Sequence, residues 1–90
     1  MSDAPQWEPD APRLEYTYVA LANHVVARIK AGEISPGARL AGERALAEEY
    51  GVALGTIRRA IEHLRDGGWL VTLPAKGTYV KAAEDWPQDA

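Results

Sequence analysis

The sequence predicts an α+β fold of three helices followed by a C-terminal two-stranded β-hairpin, and three observations carry that prediction. Apolar residues recur at spacings of three and four over two stretches, roughly residues 15 to 31 and 54 to 66. Glycines stand where those patterns stop, at Gly32 and Gly67, and Gly51 closes the shorter segment between them. Two runs rich in β-branched and aromatic residues, Trp69 to Leu73 and Gly77 to Lys81, are separated by the turn residues Pro74-Ala75-Lys76.

The elements follow in order. Residues 1 to 13 contain Pro5, Pro9 and Pro12 among polar residues, too little apolar surface to offset the entropy of ordering, and read as a flexible acidic arm. From Glu15 to Ala31, Tyr18, Leu21, Ala22, Val25 and Ile29 mark one face of a helix. Glu33 to Gly37 forms a turn, with Ser35-Pro36-Gly37 preparing the bend, and Ala38-Arg39-Leu40 is a candidate short strand. A second helix spans Glu43 to Tyr50, with Ala45, Leu46 and Tyr50 offered to the core and Gly51 suited to a left-handed position after it. The third runs from Leu54 to Asp66, its core stripe being Ile57, Ala60, Ile61 and Leu64. Gly55, Arg58, Arg59 and Glu62 lie opposite that stripe. The domain therefore spans residues 14 to 81, and residues 82 to 90 form a second acidic, unordered segment.

Composition narrows the function. Ninety residues suit one small domain with a single core, without room for a large substrate cavity. No cysteine is present, which removes disulfides and thiolate metal sites, and the residue usage fits a cytoplasmic protein. No signal-peptide h-region and no run of about 18 apolar residues occurs. The net charge of −3 is concentrated at the ends: between residues 16 and 83, nine cations face six acids, a central body permissive for nucleic acid. His24 and His63 lie on different helices without ligands at metal spacing, Ser2 and Ser35 have no neighbouring base, and the glycines build no phosphate-cradling loop. Glu48 and Glu49 point in different directions on their helix and make no acid/base pair. No cofactor, no metal and no catalytic residue is expected, and the chain is not read as an enzyme.

Two helices joined by a tight turn, the second apolar on one face and cationic on the other, make a helix-turn-helix, and the hairpin adds a wing. Such a helix can enter a major groove with one stripe anchored to a core and the other reaching phosphates and base edges. The runs Ile29 to Leu40, Gly42 to Ala47, Tyr50-Gly51-Val52, Thr56 to Ile61, Leu64, Gly67 to Leu70 and Lys76 to Val80 closely resemble, in order and spacing, the N-terminal domain of GntR-family bacterial transcriptional regulators. The resemblance covers about Tyr18 to Val80. It implies a winged helix-turn-helix that binds double-stranded DNA, with repression by operator occupancy as the usual mode.

Carried onto this chain, the resemblance implies DNA contacts by Arg44, Thr56 and Arg58, with Lys76 and Gly77 at the wing tip. The chemistry agrees, since an arginine fork matches guanine O6 and N7 and a threonine hydroxyl can donate to phosphate. Arg59 is added because it lies on the same exposed side as Arg58. Trp69 and Tyr79 are expected in the hairpin core rather than as stacking platforms. Three departures stand out. Ala41-Gly42 precede the Glu-Arg pair where many members have proline and serine, and Ala53 and Leu54 replace a Ser/Thr cap and an arginine. Gly55 adds a weak helix former at the same end.

The expected partner is an inverted-repeat operator bound by a homodimer, without a membrane and without a small-molecule pocket in this chain. Only ten residues follow Val80, so the chain is either a short stand-alone regulator, which Met1 and the acidic ends favour, or an excised DNA-binding domain. A winged-helix module that has lost DNA readout and binds another protein is the alternative, motivated by Ala53, Leu54 and the net negative charge. A third reading is a small architectural DNA-binding factor.

Overall fold

The computed structural model describes residues 6–13 and 15–87. Three helices, α1 (Thr17–Lys30), α2 (Glu43–Tyr50) and α3 (Leu54–Asp66), precede two strands, β1 (Leu70–Leu73) and β2 (Gly77–Val80), and a short 3-10 turn follows at Ala83–Asp85. The winged helix-turn-helix expected from the sequence is the fold observed.

One stripe of each helix builds the core. Leu21, Ala22, Val25 and Ile29 of α1 meet Leu46 and Tyr50 of α2 and Ile57, Ala60, Ile61 and Leu64 of α3, while Leu70 and Val80 close the core from the wing. Burying a large apolar side chain stabilises by about 1.5–3 kcal/mol, so this interlock outweighs the two weak helix starts. Those starts are weak as expected: Gly42 and Ala53 stand at the N-caps of α2 and α3 without a side-chain cap hydrogen bond. Ala45 departs from expectation. It is exposed and Ala47 is half-buried instead, because in this short helix the inward stripe runs through Leu46 and Tyr50.

Helix ends set the angles between elements. Gly51 takes φ 67° after α2, and the Val52 N–H donates to the Ala47 carbonyl at 3.0 Å, turning the chain into α3. After α3 the left-handed residue is Gly68 (φ 89°) rather than Gly67, which continues the right-handed conformation at φ −78°. The Trp69 N–H then reaches the Leu64 carbonyl at 3.0 Å.

The wing is an antiparallel pair with Leu70 opposite Val80 and Leu73 opposite Gly77. Ala38 to Leu40 joins it as a single bridge rather than a full strand, Arg39 pairing with Tyr79. Backbone bonds from Gly37 to Val80 (2.8 Å), Val80 to Ala38 (2.9 Å) and Leu40 to Thr78 (2.8 Å) fasten the segment preceding α2 to the wing's outer edge.

The arms expected of the sequence are residues 1 to 13 and 82 to 90. Residues 1–5 and 88–90, and the expected domain start at residue 14, lie outside the described residues. Trp7, however, donates its indole N–H to the Tyr50 carbonyl at 2.8 Å and packs against the rings of His24 and Tyr50, with the Arg13 guanidinium 4.8 Å from its ring centroid. At the other flank Trp86 donates to the Lys81 carbonyl at 2.8 Å and packs on Trp69, their centroids 5.7 Å apart. A single large aromatic ring gives each polar flank the apolar surface that its average composition conceals. No helix among the described residues is long and apolar enough to cross a membrane.

Candidate nucleic-acid interface

The candidate interface begins at the N-terminal end of α3, where Ala53 offers no side-chain cap and Thr56, at the third helical position, donates its N–H to the Ala53 carbonyl at 3.0 Å. The first-turn N–H groups of such an end point outward and favour anionic ligands. Thr56 is half-buried and Arg58, one residue beyond Ile57 of the core stripe, is exposed. The Arg58 Nε donates to Glu43 Oε1 at 3.0 Å, which ties the middle of α3 to the start of α2. Arg44 follows directly, exposed and with no ion-pair partner among the described residues. The Arg58–Glu43 pair brings the middle of α3 to the start of α2, where Arg44 stands, and Thr56 lies in the first turn of α3.

Arg59 lies apart from them. One residue rotates a helix by about 100°, and the Arg59 guanidinium sits 5.7 Å from the ring centroid of Tyr18 on α1, beside Glu62, His63 and Asp66. Tyr16, 75% exposed, stacks on the same Tyr18 ring. Lys76 is exposed in the wing turn, its N–H donating to the Leu73 carbonyl at 3.0 Å and its carbonyl accepting from the Tyr79 hydroxyl at 3.3 Å. Ala75 beside it is the one non-glycine of the described residues with positive φ, at 64°. Trp69 and Tyr79 are half-buried at the wing base, in keeping with a packing role.

Sequence reasoning missed four polar residues between α3 and the wing. Arg65 Nη1 donates to Thr72 Oγ1 at 2.9 Å, and the Thr72 and Thr78 hydroxyls are 3.0 Å apart. Arg39 packs across the wing at Gly77. Together with Glu43 at the start of α2 and the apolar Leu40, Ala41 and Ile61 they line a cleft of about 240 Å³. Arg65 was discoverable, since it lies seven residues after Arg58 and hence on the same face. The threonine pair was not, because it depends on the hairpin register.

Elsewhere the chemistry is structural. Arg28 donates to Tyr50 Oη at 2.5 Å and lies 3.3–3.4 Å from Glu49 and Glu33 carboxylate oxygens. Burial raises the Tyr50 phenol, opposed by Arg28, and burial followed by the Arg28 charge lowers the His24 imidazole, opposed by Glu33. No group of three metal-ligating side chains occurs among the described residues. An apolar cavity of about 200 Å³ lies among the core residues below the Ile34 to Ala41 segment, smaller than the ~300–1,000 Å³ of typical ligand pockets.

Three helices, an uncapped recognition-type helix end and a hairpin fastened beside it define a winged helix-turn-helix domain. The family model described as bacterial regulatory proteins, gntR family, matches residues 17–80, and the chain belongs to that family. It is 34% identical over 68 residues to the HTH-type transcriptional regulator SmoD of Agrobacterium fabrum, covering 76% of this chain and 29% of SmoD. Its fold is similar to YtrA from Sulfolobus acidocaldarius, a GntR-family transcription factor, at a TM-score of 0.76 and 29% identity over 84% of this chain and 80% of YtrA. It is also similar to the AraR DNA-binding domain solved in complex with operator ORX1, at a TM-score of 0.68 and 30% identity over 74% of this chain and 81% of that one. The chain spans under a third of the length of SmoD. The family is one of bacterial regulatory proteins.

Proposed function

We propose that this chain is the DNA-reading part of a GntR-type transcriptional regulator that occupies an operator in double-stranded DNA and represses from it, acting in the cytoplasm. The likeness to an operator-bound AraR domain supports this reading most directly, because it joins fold, sequence and ligand in one relative. Arg58 reads base edges from α3, and Thr56 and the helix end hold phosphate. Arg44 contacts DNA from the start of α2. Lys76 and Gly77 approach the adjacent groove. Arg59 takes a flanking backbone contact that requires it to leave the Tyr18 ring. Two copies on an inverted repeat multiply the few contacts that one module makes.

Selection of duplexes from a random library at near-physiological salt tests the reading. An enriched inverted repeat is expected, with Arg58→Ala losing about 1–3 kcal/mol of discrimination at one base position. A folded chain that enriches nothing, or an Arg58→Ala variant that enriches the same motif equally, overturns it.

A further inference from the structure

We propose that the cleft between α3 and the wing seats one phosphodiester of the DNA backbone, clasped by Arg39 and Arg65. The assignment rests on the DNA-binding reading above and adds two residues and a defined chemical role to it.

Position comes first. The cleft lies between the elements assigned to the two grooves: Arg58 and Arg65 share one face of α3, Gly77 and Thr78 belong to the wing, and Glu43 opens α2. When a helix occupies a major groove and a hairpin approaches the neighbouring minor groove, one strand of backbone must run between them. The cleft is where that strand passes, and its volume of about 240 Å³ admits a phosphodiester with its attached oxygens.

Chemistry follows. Arg39 and Arg65 bring guanidinium forks, the side chain best matched to phosphate oxygens. Arg39 is placed by Gly77: its Nε stands 2.7 Å from where a Cβ on that residue would be, so only a glycine lets the guanidinium rest against the wing strand. Arg65 is placed by its bond to Thr72. Arginine can only donate, so Thr72 accepts from Arg65; its own hydroxyl can in turn donate to Thr78, 3.0 Å away, and in that orientation the Thr78 O–H is available to an anion. Among the residues lining the cleft the only carboxylate is Glu43, and Arg58 already pairs with it at 3.0 Å. The cleft is therefore net cationic.

Salt dependence of binding to a short duplex reads the seat directly. Removing one phosphate-neutralising cation from the bound complex lowers the slope of log K against log salt by about 0.9. Arg39→Ala and Arg65→Gln are each expected to lower the slope by about that amount per bound protomer. Single methylphosphonate replacements walked along the duplex should reveal a position that weakens the wild type and leaves Arg65→Gln unaffected. Thermal melting confirms that each variant folds, as their exposed positions predict. Wild-type slopes in both arginine variants overturn the phosphate seat alone, whereas a wild-type chain that binds no duplex overturns the DNA reading beneath it.

Discussion

Arg39 and Gly77 are in contact across the wing, the arginine Nε standing 2.7 Å from the place a β-carbon on Gly77 would take. The glycine also has φ 124°, a region that L side chains rarely adopt. Gly77→Ala therefore meets two penalties. Arg39 can swing away at little cost, but the backbone cannot, so a loss of about 1–2 kcal/mol is expected in urea unfolding. DNA affinity should fall with it, because the displaced guanidinium leaves the cleft.

Ala75 offers the opposite change. At φ 64° its β-carbon is strained, a conformation costing about 1–2 kcal/mol for an L-residue. Ala75→Gly removes that strain and adds unfolded-state entropy, for a net gain of roughly 0.5–1 kcal/mol. A midpoint of unfolding that does not rise would show that the wing turn relaxes around alanine.

Glu43 holds Arg58 in an exposed ion pair, the side chains 44% and 61% accessible. Such pairs contribute about 0.2–1 kcal/mol, so Glu43→Gln should barely alter stability. It removes both a competitor for Arg58 and a negative charge facing the phosphates. Binding to unrelated duplexes should tighten up to about fivefold at low salt, and titration by fluorescence anisotropy would detect it.

The His24 imidazole lies below its ordinary value of 6.5 because burial, and then Arg28, oppose its protonation. The folded chain therefore holds it neutral while the unfolded chain takes up a proton more readily. Stability is full above the ordinary imidazole value and declines as pH falls through it toward the lower folded value. His24→Gln should flatten the decline in denaturant midpoints across that window.

Trp7 tests whether the N-terminal flank belongs to the fold. Its indole N–H to the Tyr50 carbonyl and its contacts with His24 and Tyr50 predict a loss of about 1–2 kcal/mol for Trp7→Ala. Trp7→Phe keeps a ring and should cost less. Unchanged stability in both variants would return residues 6–13 to the unordered arm that composition suggests.

How much of this was legible follows from the physics of each feature. Ile57, Ala60, Ile61 and Leu64 announced α3 because four buried positions at helical spacing leave few other readings. Gly51 announced the turn because a left-handed residue after a helix is a local requirement. Trp7 and Trp86 dock through single side chains in segments with no period, so nothing local reveals them. The Thr72 and Thr78 pair and the Arg39 bridge arise only when strands align, and alignment is a property of the fold rather than of any one segment. Within the candidate interface, the sequence separated Arg58 from the core but could not foresee its bond to Glu43 or the turning of Arg59 toward Tyr18.

On α3 the residues that hold the fold and those that face outward are disjoint: the buried set is Ile57, Ala60, Ile61 and Leu64, and the exposed set includes Gly55, Arg58, Arg59, Glu62 and Arg65. Duplicated copies of such a domain can therefore exchange one target for another by drift at the outer positions, each intermediate still a folded protein. The scaffold is inherited while the address it answers to is rewritten.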